Sequence, residues 1–76
     1  MSASKLRWRK FSPIDRDFPI YELVHGEVII LEVTKGELGS LELAFHDGAS
    51  GRVFDLGEIE RLIAEVKILL VNEEPT

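Results

Sequence analysis

Ile20-Tyr21-Glu22-Leu23-Val24-His25-Gly26-Glu27-Val28-Ile29-Ile30-Leu31-Glu32-Val33-Thr34 decides the fold. It reads as a strand over 20–24, a turn at His25-Gly26, and a second strand over 27–34 rich in β-branched residues. Alternation along the second strand puts Glu27, Ile29, Leu31 and Val33 on one face. Val28, Ile30, Glu32 and Thr34 then take the other. Both faces carry apolar side chains, and one helix can cover only one of them.

Toward the C-terminus, Lys35-Gly36-Glu37-Leu38-Gly39 breaks the strand. The segment 41–46 alternates again, with Leu41, Leu43 and Phe45 expected toward the core and Glu42, Ala44 and His46 outward. Asp47-Gly48-Ala49-Ser50-Gly51 reads as a turn, and Arg52-Val53-Phe54 as a return strand. Asp55 then has Glu58 three residues on, which is capping-box spacing for a helix start. Ile59, Leu62, Ile63, Val66, Leu69 and Leu70 recur at helical spacing. The helix is expected to run to about Val71. Ile68 and Val71 lie off its stripe, and 66–71 alone would also read as a strand.

Toward the N-terminus, Leu6-Arg7-Trp8-Arg9-Lys10-Phe11 is either an edge strand or an ordered arm, and 12–19, with Pro13 and Pro19, is a loop. The order, strands first and one helix last, is that of an α+β domain. We expect an antiparallel meander of about four strands with one C-terminal amphipathic helix packed on one face. Residues 1–76 form a single domain in this reading, with 1–5 and 72–76 as frayed tails.

A chain of 76 residues supports one small core. There is no cysteine, hence no disulfide and no thiolate metal site. The basic N-terminal residues have no apolar run behind them, and no apolar run is long enough to span a bilayer. The expectation is a cytoplasmic protein without a membrane role. Charge is unevenly placed. Lys5, Arg7, Arg9 and Lys10 are the only charged residues in 1–11, whereas five basic and fourteen acidic residues follow, a net of −9. Such a body repels phosphate backbones and favours cationic surfaces.

The opening Trp8-Arg9-Lys10-Phe11-Ser12-Pro13-Ile14-Asp15, followed by Phe18-Pro19-Ile20-Tyr21-Glu22, resembles a group of small uncharacterised bacterial proteins with a W-x-K-F-S-P-I-D…F-P-I-Y-E opening. The second half, from Leu43-Ala44-Phe45-His46-Asp47-Gly48 to Val53-Phe54-Asp55-Leu56, is similar to a small bacterial domain in which a Phe-x-Asp-Gly turn leads to an Asp-Leu helix start. Neither resemblance implies an activity, a cofactor or a site residue.

Few residues suggest chemistry. His25 and His46 are the only imidazoles, and no local spacing gives either the three or four ligands that a metal needs. Ser40 and Ser50 have no adjacent base. Gly48-Ala49-Ser50-Gly51-Arg52 lacks phosphate-loop spacing. Asp15, Asp17 and Glu22 do not match a calcium loop. No catalytic, metal or cofactor residue is therefore expected. Arg7, Trp8, Arg9 and Lys10 interleave cations with an aromatic, as a single-strand nucleic-acid arm would. The alternative is that Trp8 and Phe11 anchor the first strand while the cations flank it, which the acidic body favours. Trp8, Val28, Ile30 and Glu32 mark a second sheet face, covered by the N-terminal arm or by another molecule.

Two kinds of function follow. One is a non-enzymatic interaction module whose acidic body engages a basic protein or which forms a homodimer. The other is a nucleic-acid-binding accessory protein using the arm.

Overall fold

Four strands lie side by side in the order in which the chain makes them: β1 (Leu6–Phe11), β2 (Ile20–His25), β3 (Val28–Lys35) and β4 (Leu41–Phe45). Every neighbouring pair is antiparallel. One helix, α1 (Leu56–Val71), follows and packs against the sheet. This computed structural model describes residues 5–73, so the expected frays at 1–4 and 74–76 lie outside the described residues. The architecture is the expected α+β meander with one C-terminal helix.

Local chemistry explains the elements. The β2–β3 turn is tight because Gly26 takes a positive φ of 64°, open to glycine without steric cost. The α1 start is fixed by Asp55, whose Oδ2 accepts the Glu58 backbone N–H at 2.8 Å. Leu62, Val66 and Leu70 are its buried stripe, with Ile59 and Ile63 at the margin. Residues 66–71 are helical to the last, and Ile68 and Val71 are exposed because they fall off that stripe.

The centre of the sheet departs from simple alternation. Leu23 pairs with Leu31, but Val24 pairs with Ile29, so Ile30 is an extra residue on β3. Such a bulge interrupts the side-to-side alternation of its strand. Ile30 therefore joins Leu31 in the core and is only 1% exposed. Ile29 shares a face with Val24, and Val28 shares one with His25. The expected surface marked by Val28 and Ile30 is thus not formed.

The expected return strand at 52–54 is also absent. β4 ends as His46 donates its N–H to the Ile30 carbonyl, and Asp47–Ala49 tightens into a 3₁₀ turn against β3. Residues 50–55 then run without a ladder partner to the helix. Gly48 is what permits the close approach. A Cβ there would overlap the Ile29 carbonyl oxygen and lie 2.6 Å from Val28 Cγ1. Gly48→Ala should therefore destabilise the fold by about 1–3 kcal/mol, the usual cost of overpacking. Urea unfolding checks this, and a midpoint equal to that of the unmodified chain would contradict the packing described.

Candidate interaction surface

The helix-bearing face of the sheet begins at β1 with Leu6, Trp8 and Lys10. Tyr21, Leu23 and His25 continue it on β2, Leu31 and Val33 on β3, and Leu41, Leu43 and Phe45 on β4, as the lateral pairing requires. Three polar contacts fix α1 above it. Trp8 Nε1–H donates to the Leu62 carbonyl at 2.9 Å, adding to the apolar contact of its half-buried ring with the core. At the other end of the helix, Glu73 Oε1 accepts from Tyr21 Oη and from Lys10 Nζ, each at 2.7 Å. Lys10 and Tyr21 are cross-strand partners, so one carboxylate clasps two strands. Asn72 and Glu73 are therefore not a frayed tail.

The clasp sets the titration of its members. Burial, then the hydrogen bond and charge of Glu73, push the Tyr21 phenol up to about 12. The Lys10 and Tyr21 hydrogen bonds hold the Glu73 carboxyl below the usual carboxylate range, with burial opposing them.

The sequence-predicted arm is consequently engaged in the fold. Trp8 is turned into the core, and Lys10 is paired with Glu73. Arg9 holds Glu22 through Nε at 3.0 Å and Nη2 at 2.8 Å. Arg7, exposed at the level of Val24, and Phe11, 52% exposed, lie on the opposite face, so Phe11 does not anchor the strand as expected. The arm therefore does not offer an aromatic ring between free cations, which is what base stacking requires.

That opposite face is polar at its centre. Glu22 and Glu32 lie directly across from each other on β2 and β3, an arrangement that repels when uncompensated. Arg9 offsets one of them, and His46 Nε2 lies 2.7 Å from Oε1 of the other. Glu32, expected beside Val28 and Ile30, thus belongs to a charge row across the sheet. His25 is on the helix side, with Nδ1 3.4 Å from Arg52 Nη1, so the two histidines share no site. Among the described residues, no group of three His, Asp or Glu side chains could hold a metal. Asp15, Asp17, Glu37 and Glu42 line an open cleft of about 520 Å³ with Arg16, Lys35 and Phe18. Lys35 Nζ lies 4.6 Å from the Phe18 ring centroid. Glu22, expected near Asp15 and Asp17, is not in that cleft.

β4 is where burial stops. α1 packs against β1 and β3, and of the β4 residues only Leu41 reaches the core. Leu43 is 48% exposed and Phe45 71% exposed, although both lie on the helix side. The expectation that they face the core gives the correct side of the sheet but not the cover. Beyond them β4 has no partner strand among the described residues. Comparison of the chain with family models, with curated proteins and with solved structures finds no match.

Tyr21 is the single tyrosine, so phenolate absorbance reports on it alone. In the folded protein it should titrate near 12, and Glu73→Gln should lower that midpoint. The native state then keeps a proton that the unfolded chain loses near pH 10. Stability from Tyr21 is accordingly full below pH 10 and lost as pH rises to about 12. That from Glu73 is full above the ordinary carboxylate range and is lost as pH falls through its lowered value. A folded-state phenolate midpoint near 10, unmoved by Glu73→Gln, would contradict both the burial of Tyr21 and the clasp.

Proposed function

We propose that this chain is a non-enzymatic protein-interaction module whose contact surface is the open β4 edge and the uncovered apolar row beside it. The observation that carries this reading is the exposure of Leu43 and Phe45 on a face whose remaining centre is core. Exposed apolar side chains in a row at an unpaired strand favour burial by a partner, and strand addition is a common way to achieve it.

The acidic body supports a basic partner as a second reading. Four carboxylates against two cations line the cleft beside Phe18, and the chain beyond residue 11 carries a net charge of −9. Such a surface attracts cationic proteins and speeds their encounter. A nucleic-acid accessory role has less support, since Arg9 and Lys10 are already ion-paired within the domain. A cytoplasmic setting belongs to the same proposal. It is supported by a fold that holds its helix with a tryptophan and a glutamate and needs no disulfide.

The test is in-cell photocrosslinking. A photoreactive phenylalanine analogue replaces Phe45 in the native host, and the same group at Glu60, on the exposed back of α1, serves as control. A discrete protein adduct at position 45, absent from position 60, is expected. Equal, diffuse labelling at both positions would overturn the reading.

A further inference from the structure

We propose that the occupant of the β4 edge is a second copy of this chain, with β4 pairing antiparallel to its counterpart in a register centred on Leu43. This rests on the reading of β4 as an interaction surface and names what fills it.

Backbone direction comes first. His46 N–H bonds the Ile30 carbonyl, and the Ser40 carbonyl accepts from Gly36 N–H at 2.7 Å. In an antiparallel ladder one residue's N–H and C=O point to the same side, and successive residues alternate. Residues 40, 42, 44 and 46 therefore address β3. Leu41, Leu43 and Phe45 present their N–H and C=O groups to the open edge. Their side chains are also the β4 members of the helix-bearing face. The same three residues thus supply both the free hydrogen-bonding groups and the apolar row.

The strand is complementary to itself. With Leu43 opposite Leu43 of the second copy, Leu41 faces Phe45 and Phe45 faces Leu41. Every outward-directed residue then meets another and exchanges two backbone hydrogen bonds with it. On the helix-bearing face the row is wholly apolar. On the other face Glu42, the single charged residue of β4, meets Ala44 instead of its own copy. Recentring on Glu42 would set two carboxylates opposite each other, which is destabilising. Recentring on Ala44 would leave Leu41 outside the ladder.

The other edge behaves differently. β1 carries Arg7, Arg9 and Lys10, and cationic side chains are a common device against edge pairing. β4 has no lysine, arginine or proline and no bulge against β3. A two-fold pair through β4 closes after two copies, because it leaves only the guarded β1 edges outside.

Sedimentation velocity over a concentration series tests this, using the full chain, Phe45→Lys and Leu43→Lys. Both substitutions are at exposed positions, and far-ultraviolet circular dichroism verifies that they fold. The unmodified chain should sediment at twice its 8.6 kDa mass, and either lysine should raise the dissociation constant about tenfold or more, about 1.4 kcal/mol. Hydrogen exchange should show the Leu41, Leu43 and Phe45 amides protected in the dimer and fast in the variants. Leu43→Cys, in a chain with no other cysteine, should crosslink to itself with a short bis-maleimide far better than Glu60→Cys. A monomer at every soluble concentration would overturn the proposal. So would a dimer that survives both lysines with the β4 amides unprotected. A monomer that still forms an adduct with a different protein at position 45 in cells would overturn self-pairing and leave the interaction reading standing. A monomer without that adduct would remove both.

Discussion

A helix about 10 Å across cannot roof a four-stranded sheet whose outer strands lie about 14 Å apart. Where the helix is fixed decides which strand stays bare. Here it is fixed by residues of β1 and β2. Trp8 bonds the Leu62 carbonyl in the middle of α1, and Lys10 and Tyr21 hold Glu73 just past its end. These contacts lie on one side of the sheet, and β4 is the strand farthest from them. The incomplete cover of Leu43 and Phe45 is therefore a consequence of how the N-terminal strand anchors the helix.

The other face of the sheet meets the same shortage of cover by different means. The bulge at Ile30 removes one large apolar side chain from that face and gives it to the core. What remains near the centre is largely polar: Arg9, Glu22, Glu32 and His46 in one charge row, with Thr34 accepting from Arg16 at the end of β3. Val24 is fully buried on this side, flanked by Arg7 and Ile29 across the ladder. A long arginine stem covers apolar neighbours while its head stays in water. The centre of this face thus needs no second layer, and the uncovered apolar row of the sheet is Leu43 and Phe45 on the other side.

Much of this was legible in the sequence, and the limits are physical. Strand-forming residues in 20–24, alternation in 41–46 and the helical spacing of Ile59 through Leu70 mark elements and faces, because side-chain direction follows backbone period. Periodicity states which side a residue takes but not whether anything lies above it, so Leu43 and Phe45 read as core. The bulge left no mark because Ile29 and Ile30 are identical side chains, and a one-residue slip between them changes nothing in the pattern. Val53 and Phe54 read as a strand from propensity, yet Gly48 lets the chain turn against β3 before a ladder can form. Glu73 sat in what read as a polar tail, since its partners at positions 10 and 21 are close only in the folded chain.

The asymmetry of the two edges follows from the same anchoring. β1 uses its cations internally, with Arg9 offsetting the Glu22–Glu32 repulsion and Lys10 closing the Glu73 clasp. Guarding the β1 edge is a by-product of those pairings, because the charges must be present for the helix and the polar row to hold. No such need reaches β4. Its one charged side chain, Glu42, points away from the helix and toward the acidic cleft. A guard there would have to be added for its own sake, and none has been. In a chain of this size, burying Leu43 and Phe45 would extend a small core at little cost in chain ordering, since β4 is already held straight by β3.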